Sequence, residues 1–262
     1  MQGYVHSIET LGLADGPGVR IVVFMQGCPL RCLFCHNPDT WEKGQNLLTT
    51  SDEIVNMVRK YRNFIEQNGG ITLSGGEPLL QGEFTLDILK KCKKAGFHTA
   101  LDTSGTGYDK ELLDEILKYT DLILLDIKAL TNKNYEKITG KNMDEFNCFL
   151  KRIQKLNKKI WIRQVITPGI NDTKEYILKL KKYLSKLDNI ERIDLLPYHN
   201  LGVDKYKKLG LKYRLDGTPN MDKSIIKELE AISTDLVNSK VDDARQHSVE
   251  VLLYFKQIFP DN

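Results

Sequence analysis

Three cysteines crowd one short run of the chain, Gly27-Cys28-Pro29-Leu30-Arg31-Cys32-Leu33-Phe34-Cys35-His36-Asn37, with three residues between the first pair and two between the second. Thiolates hold zinc and iron–sulfur clusters, and a closed site of either kind takes four protein ligands. Three thiolates on one loop leave a metal centre with an open position, where a small molecule can bind and react. Disulfides fit poorly, because the cysteines number five and the stretch Met1–Thr10 has neither the basic nor the apolar region of a secretory signal. A structural zinc would need His36 or a distant residue as its fourth ligand. The companions Gly27, Pro29, Arg31, His36, Asn37 and Pro38 make loop composition rather than a core stripe. An open-sited iron–sulfur cluster is the favoured reading. Cys92 stands four residues after Ile88 and eight after Phe84, a core spacing, and Cys148 reads as structural and inert.

The elements around this loop alternate. Val19–Met25 is an apolar, β-branched run that ends at the cysteines. Thr50–Gln67 reads as a helix, opened by the capping-box pair Thr50 and Glu53, with Ile54, Met57, Val58, Tyr61 and Ile65 on one face. Strands are expected at Gly70–Leu73, His98–Leu101, Leu122–Leu125, Ile160–Ile166 and Ile193–Leu196, and helices at Phe84–Ala95, Lys110–Tyr119, Met143–Leu156 and Lys174–Leu187. Strand–helix alternation with short connections predicts an α/β fold of parallel strands with crossover helices, curling toward a barrel or partial barrel.

Polar motifs fall just after the expected strands: Ser74-Gly75-Gly76-Glu77, Asp102-Thr103, Asp126-Ile127-Lys128, Arg163 with Thr167-Pro168-Gly169, and Pro197-Tyr198-His199. In α/β barrels the carboxyl ends of the strands form the active face, so these motifs and the cysteine loop are expected at one mouth. Gly75 and Gly76 let the backbone approach a ligand, or simply make a tight strand-to-helix turn. Glu77 is a candidate for fixing a ligand amine. Asp102 and Asp126 either cap the helices that follow or hold a cation or ligand hydroxyls. Lys128 offers a point charge for a carboxylate. His199 is either a structural histidine or a ligand contact.

At 262 residues, 41% hydrophobic and 28% charged, the chain can bury an ordinary core as one large domain or two small ones. A net charge of +3 argues against a strongly basic nucleic-acid binder. No apolar run is long enough to span a membrane, and a reducing, cytoplasmic setting is expected.

The run Cys28-Pro-Leu-Arg-Cys32-Leu-Phe-Cys35 resembles the signature of radical S-adenosylmethionine enzymes. Asp15-Gly16-Pro17-Gly18-Val19-Arg20, Cys35-His36-Asn37 with Asp39-Thr40-Trp41, Leu125-Asp126-Ile127-Lys128, Trp161-Ile162-Arg163 and Leu195-Leu196-Pro197-Tyr198-His199 narrow the resemblance to glycyl-radical activases of the pyruvate formate-lyase type, over roughly residues 5–220. Residues 36–75 contain no cysteine, so the extra cluster-binding insert of many other activases has no place here.

The resemblance implies a partial (β/α)6 barrel over residues 1–220; beyond it, within residues 221–262, the match fails and the sequence reads as a helix at Asp222–Val237 and a tail of unassigned role. It implies a 4Fe–4S cluster on Cys28, Cys32 and Cys35 whose fourth iron takes the amino and carboxylate groups of S-adenosylmethionine. One electron then cleaves the sulfonium, and the 5′-deoxyadenosyl radical removes hydrogen from a glycine of pyruvate formate-lyase. Carried over residue by residue, Phe34 and His36 lie against the adenine, Gly76 meets the methionine amine, Asp126, Ile127 and Lys128 contact the cofactor, and His199 lies along the adenosine. Arg163 is the candidate for the methionine carboxylate or leaving geometry, and Asp15 for gripping the partner's glycine loop. Asp102, Thr103 and Asp126 resemble a monovalent-cation site. A flavodoxin or ferredoxin is the implied electron donor, and a monomer is expected.

Overall fold

The computed structural model describes residues 1–44, 47–65 and 69–232. Its centre is one eight-stranded sheet: β1 (Gln2–Gly12), β2 (Arg20–Met25), β3 (Leu47–Thr50), β4 (Gly70–Gly75), β5 (His98–Thr103), β6 (Leu122–Asp126), β7 (Lys159–Ile166) and β8 (Ile190–Pro197), in spatial order β3-β1-β2-β4-β5-β6-β7-β8. From β2 through β8 the neighbours are parallel and in chain order, which is the six-strand α/β array expected. These strands read as unbroken apolar runs, such as Leu122-Ile-Leu-Leu125, because both faces are covered.

The sheet also carries what the sequence did not announce. β1 folds back antiparallel on β2, and β3 adds to the outer side of β1. β1 hides because polar residues and glycines together hold seven of its eleven positions and its burial is partial. β3 is only Leu47-Leu-Thr-Thr50, too short to show a period.

The helices are α1 (Ser51–Lys60), α2 (Gly82–Lys94), α3 (Lys110–Lys118), α4 (Asn132–Thr139), α5 (Asp144–Lys155), α6 (Lys174–Leu184) and α7 (Val203–Lys208). The Thr50–Glu53 capping box forms as expected. α1 stops at Lys60, however, and Tyr61–Ile65 continue as turns; Tyr61 and Ile65 still pack on the core, which is why the apolar spacing outlasts the helix. The end of the expected helix, residues 66–68, lies outside the described residues. α4 is an addition: its capping threonine, Thr131, accepts from the Asn134 amide and Gly140 closes it at φ 79°, but only Tyr135 and Ile138 mark its apolar face. α7 is likewise too short to read from spacing.

Beyond α7, residues 223–232 are helical and bury Ile226 and Leu229 against the core. The remainder of the expected C-terminal helix and tail lies outside the described residues. Cys92 is fully buried on α2, as its spacing predicts, whereas Cys148 is exposed on α5.

Arg20, wholly buried at the start of β2, ties the β1–β2 connection to the sheet. Its Nε donates to Thr72 Oγ1 (2.5 Å), Nη1 to the Pro17 carbonyl (2.9 Å) and Nη2 to the Ile71 carbonyl (2.5 Å). Thr72 Oγ1 passes the link on to the Asp15 carbonyl (2.6 Å). The residues Asp15–Gly18 are thus drawn in against β4, with the Asp15 carboxylate left to reach the mouth of the barrel.

Candidate functional site

The cysteine loop leaves the end of β2 and is pinned on two sides. On one side the Gly27 amide donates to the Thr40 carbonyl (2.7 Å) and the Cys28 amide to the Trp41 carbonyl (3.1 Å). On the other, the Arg31 and Leu33 amides donate to the last carbonyls of α4, those of Thr139 (2.8 Å) and Ile138 (2.9 Å). The unforeseen helix is therefore a support for the loop, and the loop in turn satisfies two carbonyls at a helix end. Tyr206 of α7 donates its hydroxyl to the Cys35 carbonyl (3.1 Å).

All three cysteines open on one cavity of about 350 Å³. Burial pushes their thiols up, Cys32 to about 11, with Cys28 and Cys35 also above the ordinary thiol value. Without a metal they are neutral SH groups, and binding one must release protons. Among the described residues no three His, Cys, Asp or Glu groups converge tightly enough for a single ion. A cluster makes no such demand, since each thiolate meets a different iron.

Gly75 and Gly76 line the same cavity at the end of β4. Gly75 sits at φ +110°, and a Cβ on Gly76 would stand 2.3 Å from the Gly27 carbonyl oxygen. The first of these requires glycine for its backbone conformation, the second for its close approach to the cysteine loop.

Glu77 does something other than meet a ligand. It is fully buried: Oε1 accepts from Thr103 Oγ1 (2.6 Å) and the Leu79 amide (3.2 Å), while Oε2 accepts from the Ser104 amide (2.9 Å) and hydroxyl (2.5 Å). Its four acceptor positions are used to fasten the end of β4 to the end of β5. Burial raises its carboxyl to about 7, against the pull of the Ser104 and Thr103 hydrogen bonds. The folded state thus holds a proton more tightly than the unfolded chain, and stability falls as pH rises from about 4.5 to about 7. This slope is worth up to about 3 kcal/mol. Urea midpoints of the wild type and Glu77→Gln, measured across that window, are expected to differ by it, with the variant flatter. Parallel curves would contradict the assignment.

Arg163, on β7, is the hub of the opposite wall. Nη2 donates to the Ala14 carbonyl (2.7 Å) and Asp15 Oδ1 (3.1 Å), and Nη1 to Asp102 Oδ2 (3.3 Å). Ser74 Oγ donates to the same Asp102 oxygen (2.6 Å). Burial opposes the charge on Arg163, but Asp102 and Asp15 outweigh it and hold the guanidinium above its usual range. Burial raises Asp102, and Arg163 is its strongest counterweight. Arg163 Nε is buried without a partner in a residue that lines the cavity.

Lys128 Nζ donates to Asp126 Oδ2 (2.6 Å) and stands 5.6 Å from the centre of the Phe34 ring. Burial opposes its charge, while Asp126 and Cys32 more than restore it. His36 bonds through Nε2 to the His199 carbonyl (2.7 Å) and stacks on the His199 ring at 3.9 Å.

The cavity therefore gathers Cys28, Cys32, Cys35, Phe34, His36, Gly76, Asp15, Asp102, Thr103, Asp126, Lys128 and Arg163. Ile127 and His199 stay off its lining. Ile127 is buried and its amide donates to the Arg163 carbonyl (2.9 Å); His199 backs His36, with a buried, unpartnered Nδ1. Neither Asp102 nor Asp126 caps a helix. The side chains expected around a monovalent cation are engaged with protein partners: Asp102 with Arg163 and Ser74, Asp126 with Lys128, Thr103 with Glu77. Residue spacing gave no sign of Phe24 or Leu196 as lining residues.

The Radical SAM superfamily model matches residues 22–184, which span the cysteine loop and the strands through β7. A pyruvate formate-lyase-activating enzyme of Clostridium pasteurianum is 48% identical over 238 residues, 90% of this chain and 99% of that one. This chain belongs to the pyruvate formate-lyase-activating enzymes of the radical SAM superfamily. A second activating enzyme, from Staphylococcus epidermidis, is 44% identical over 87% of this chain and 94% of its own. Among solved structures, a domain of a pyruvate formate-lyase-activating enzyme from Bacteroides vulgatus superposes with a TM-score of 0.52 at 28% identity, over 64% of this chain and 95% of that one. Streptococcus suis SuiB bound to its precursor peptide shares the fold, with a TM-score of 0.63 at 20% identity, over 84% of this chain and 46% of that one. The activating enzymes' family implies a 4Fe–4S cluster and S-adenosylmethionine, and the cavity suits both: three thiols, two glycines without Cβ atoms, and the cations of Lys128 and Arg163 share its lining.

Proposed function

We propose that this chain activates pyruvate formate-lyase, leaving a glycyl radical on it. The observation that carries the reading is the placement of Cys28, Cys32 and Cys35 on one pinned loop, facing Gly76, Lys128 and Arg163 across a single cavity, while Cys92 and Cys148 lie elsewhere. Bound together, the cluster and S-adenosylmethionine supply one-electron chemistry that ends in removal of a hydrogen atom from the partner's glycine.

The chain's own residues bind and orient. The three cysteines, deprotonated, would hold the cluster, which would supply the electron for the reaction. Gly76 offers a close backbone approach for the methionine amine. Arg163, on the cavity lining and held by Asp15 and Asp102, places a positive charge where the methionine carboxylate would lie. Phe34 and His36 take the adenine, with His199 stacked behind His36. Lys128, fixed by Asp126, sets a positive charge beside the thiolates. Asp15, held at the mouth by Arg163, meets the partner's glycine loop. No general base is needed, because hydrogen leaves as an atom.

The reading includes a flavodoxin or ferredoxin as electron donor, a monomeric activase and a reducing, cytoplasmic setting. Among the described residues no helix is long and apolar enough to cross a membrane. Anaerobic reconstitution with iron and sulfide, reduction and addition of S-adenosylmethionine tests the cofactor assignment. The EPR signal of the reduced cluster is expected to change on addition, with release of methionine. A signal indifferent to S-adenosylmethionine would contradict it.

A further inference from the structure

The connection between β1 and β2 is gripped at two places, and the two grips are separate. At the mouth, Arg163 Nη2 donates to the Ala14 carbonyl (2.7 Å) and to Asp15 Oδ1 (3.1 Å). From beneath, Arg20 Nη1 donates to the Pro17 carbonyl (2.9 Å) and Nε to Thr72 Oγ1 (2.5 Å), whose hydroxyl donates in turn to the Asp15 carbonyl (2.6 Å). The direction of this relay is fixed. A guanidinium can only donate, so the one hydroxyl proton of Thr72 is left for Asp15. Gly16 lies flush on the guanidinium, since a Cβ there would stand 2.8 Å from Arg20 Cδ and Nε. Arg20 and Thr72 are wholly buried and neither lines the cavity, whereas Asp15 and Arg163 both do. The outer side of the connection is open: Leu13 is 78% exposed, and Ala14 and Gly18 are exposed beside it. Gly16 and Gly18, at φ +129° and +64°, make this stretch loose by itself. Ordering a loose segment is a cost that association otherwise has to meet.

We propose that Arg20, acting through Thr72, is a positioning residue for the lyase: it holds Asp15–Gly18 ready for the partner's glycine loop and takes no part in cleaving S-adenosylmethionine. This rests on the activase reading above. The two arginines divide the work. Arg163 shares the cavity, so its loss reaches cofactor and partner together, whereas Arg20 and Thr72 reach the partner through the segment alone. Loosening the relay lowers the fraction of molecules whose segment is ready to dock, and apparent affinity falls by that fraction. Thr72→Val keeps the branched shape and removes the hydroxyl. It is expected to raise KM for the lyase about tenfold, the effect of a segment ordered about one tenth of the time, with kcat unchanged. Thr72→Ser keeps the hydroxyl and is expected to restore the wild-type KM.

The experiment compares reconstituted, reduced wild type, Thr72→Val and Thr72→Ser in two assays: the initial rate of glycyl-radical formation, read by EPR against lyase concentration, and methionine release without lyase. A raised KM in Thr72→Val alone, with equal methionine release in all three, is the expected result. An unchanged KM in Thr72→Val, an equal rise in Thr72→Ser, or methionine release that falls in step with the KM effect overturns the role of Arg20 and Thr72 and leaves the activase reading standing. A wild type that cleaves S-adenosylmethionine but puts no radical on the lyase overturns the activase reading and this inference with it. If Thr72→Val does not fold, Arg20→Lys takes its place and the same outcomes decide, because lysine keeps the charge but lacks the fork that reaches Pro17 and Thr72 together.

Discussion

Replacing Cys28, Cys32 or Cys35 by alanine is expected to abolish cluster assembly and, with it, cleavage of S-adenosylmethionine, a loss of more than about 100-fold for each variant, since residues merely behind a metal ligand already cost about 10- to 100-fold. Neither of the other two cysteines can substitute. Cys92 is sealed on α2 and Cys148 is exposed on α5, both off the cavity. The loop itself should survive the change, because its backbone is held by Thr40, Trp41, Ile138, Thr139 and Tyr206 rather than by the sulfurs. Iron and sulfide analysis, the reduced EPR signal and circular dichroism together make the check: a folded protein without iron is the predicted outcome. Cys92→Ser is the control, expected to keep its cluster. A full complement of iron in any of the three alanine variants would contradict the ligand assignment.

Arg163→Met is expected to cause the largest loss of stability of any single change at the mouth. Arg163 is mostly buried and neutralises two acids at once, Asp15 and Asp102, while also capping the Ala14 carbonyl. Removing one member of a buried charge cluster leaves the others uncompensated, at a cost of about 3 kcal/mol or more at pH 8. The sign of the pH dependence follows from Asp102. Burial already raises its folded-state pKa, and Arg163 is the main influence holding it down, so the variant raises it further. A carboxyl whose folded pKa lies above the unfolded one contributes stability at low pH and loses it as pH rises through the folded value. The deficit against wild type should therefore be smaller at pH 5 than at pH 8, measured as urea midpoints. Arg163→Lys should recover only part of it, because one ammonium cannot span Asp15, Asp102 and Ala14 as the planar fork does. A deficit that grows toward acid pH would contradict the arrangement.

Much of this site is written in the chain because parallel α/β architecture puts function where strands end. Gly75 and Gly76, Asp102 and Asp126 lie at or just past the carboxyl end of an apolar strand, Arg163 lies within β7, and the sheet brings them to one cavity. What spacing could not show is how those groups bond to one another. Glu77 stands beside two glycines and reads as a ligand contact, but its partners Thr103 and Ser104 come from the next strand, more than twenty residues on. Trp41 is one aromatic in a turn until Tyr206, from a helix too short to announce itself, closes on its edge. α4 is equally faint in sequence, with two apolar residues on its face, yet its last carbonyls hold the cysteine loop. β1 and β3 escaped because polar residues and glycines break the apolar pattern of the first and the four residues of the second show no period.

The most direct test of the activase assignment joins the chain to its partner. The reconstituted, reduced protein is mixed with S-adenosylmethionine and pyruvate formate-lyase under anaerobic conditions, and the lyase is examined by EPR. A glycyl-radical doublet on the lyase, absent when S-adenosylmethionine is omitted and absent with Cys32→Ala, is the predicted result. Cleavage of S-adenosylmethionine with no radical on the lyase would contradict the assignment and direct the search to a different glycyl-radical protein or a small-molecule substrate.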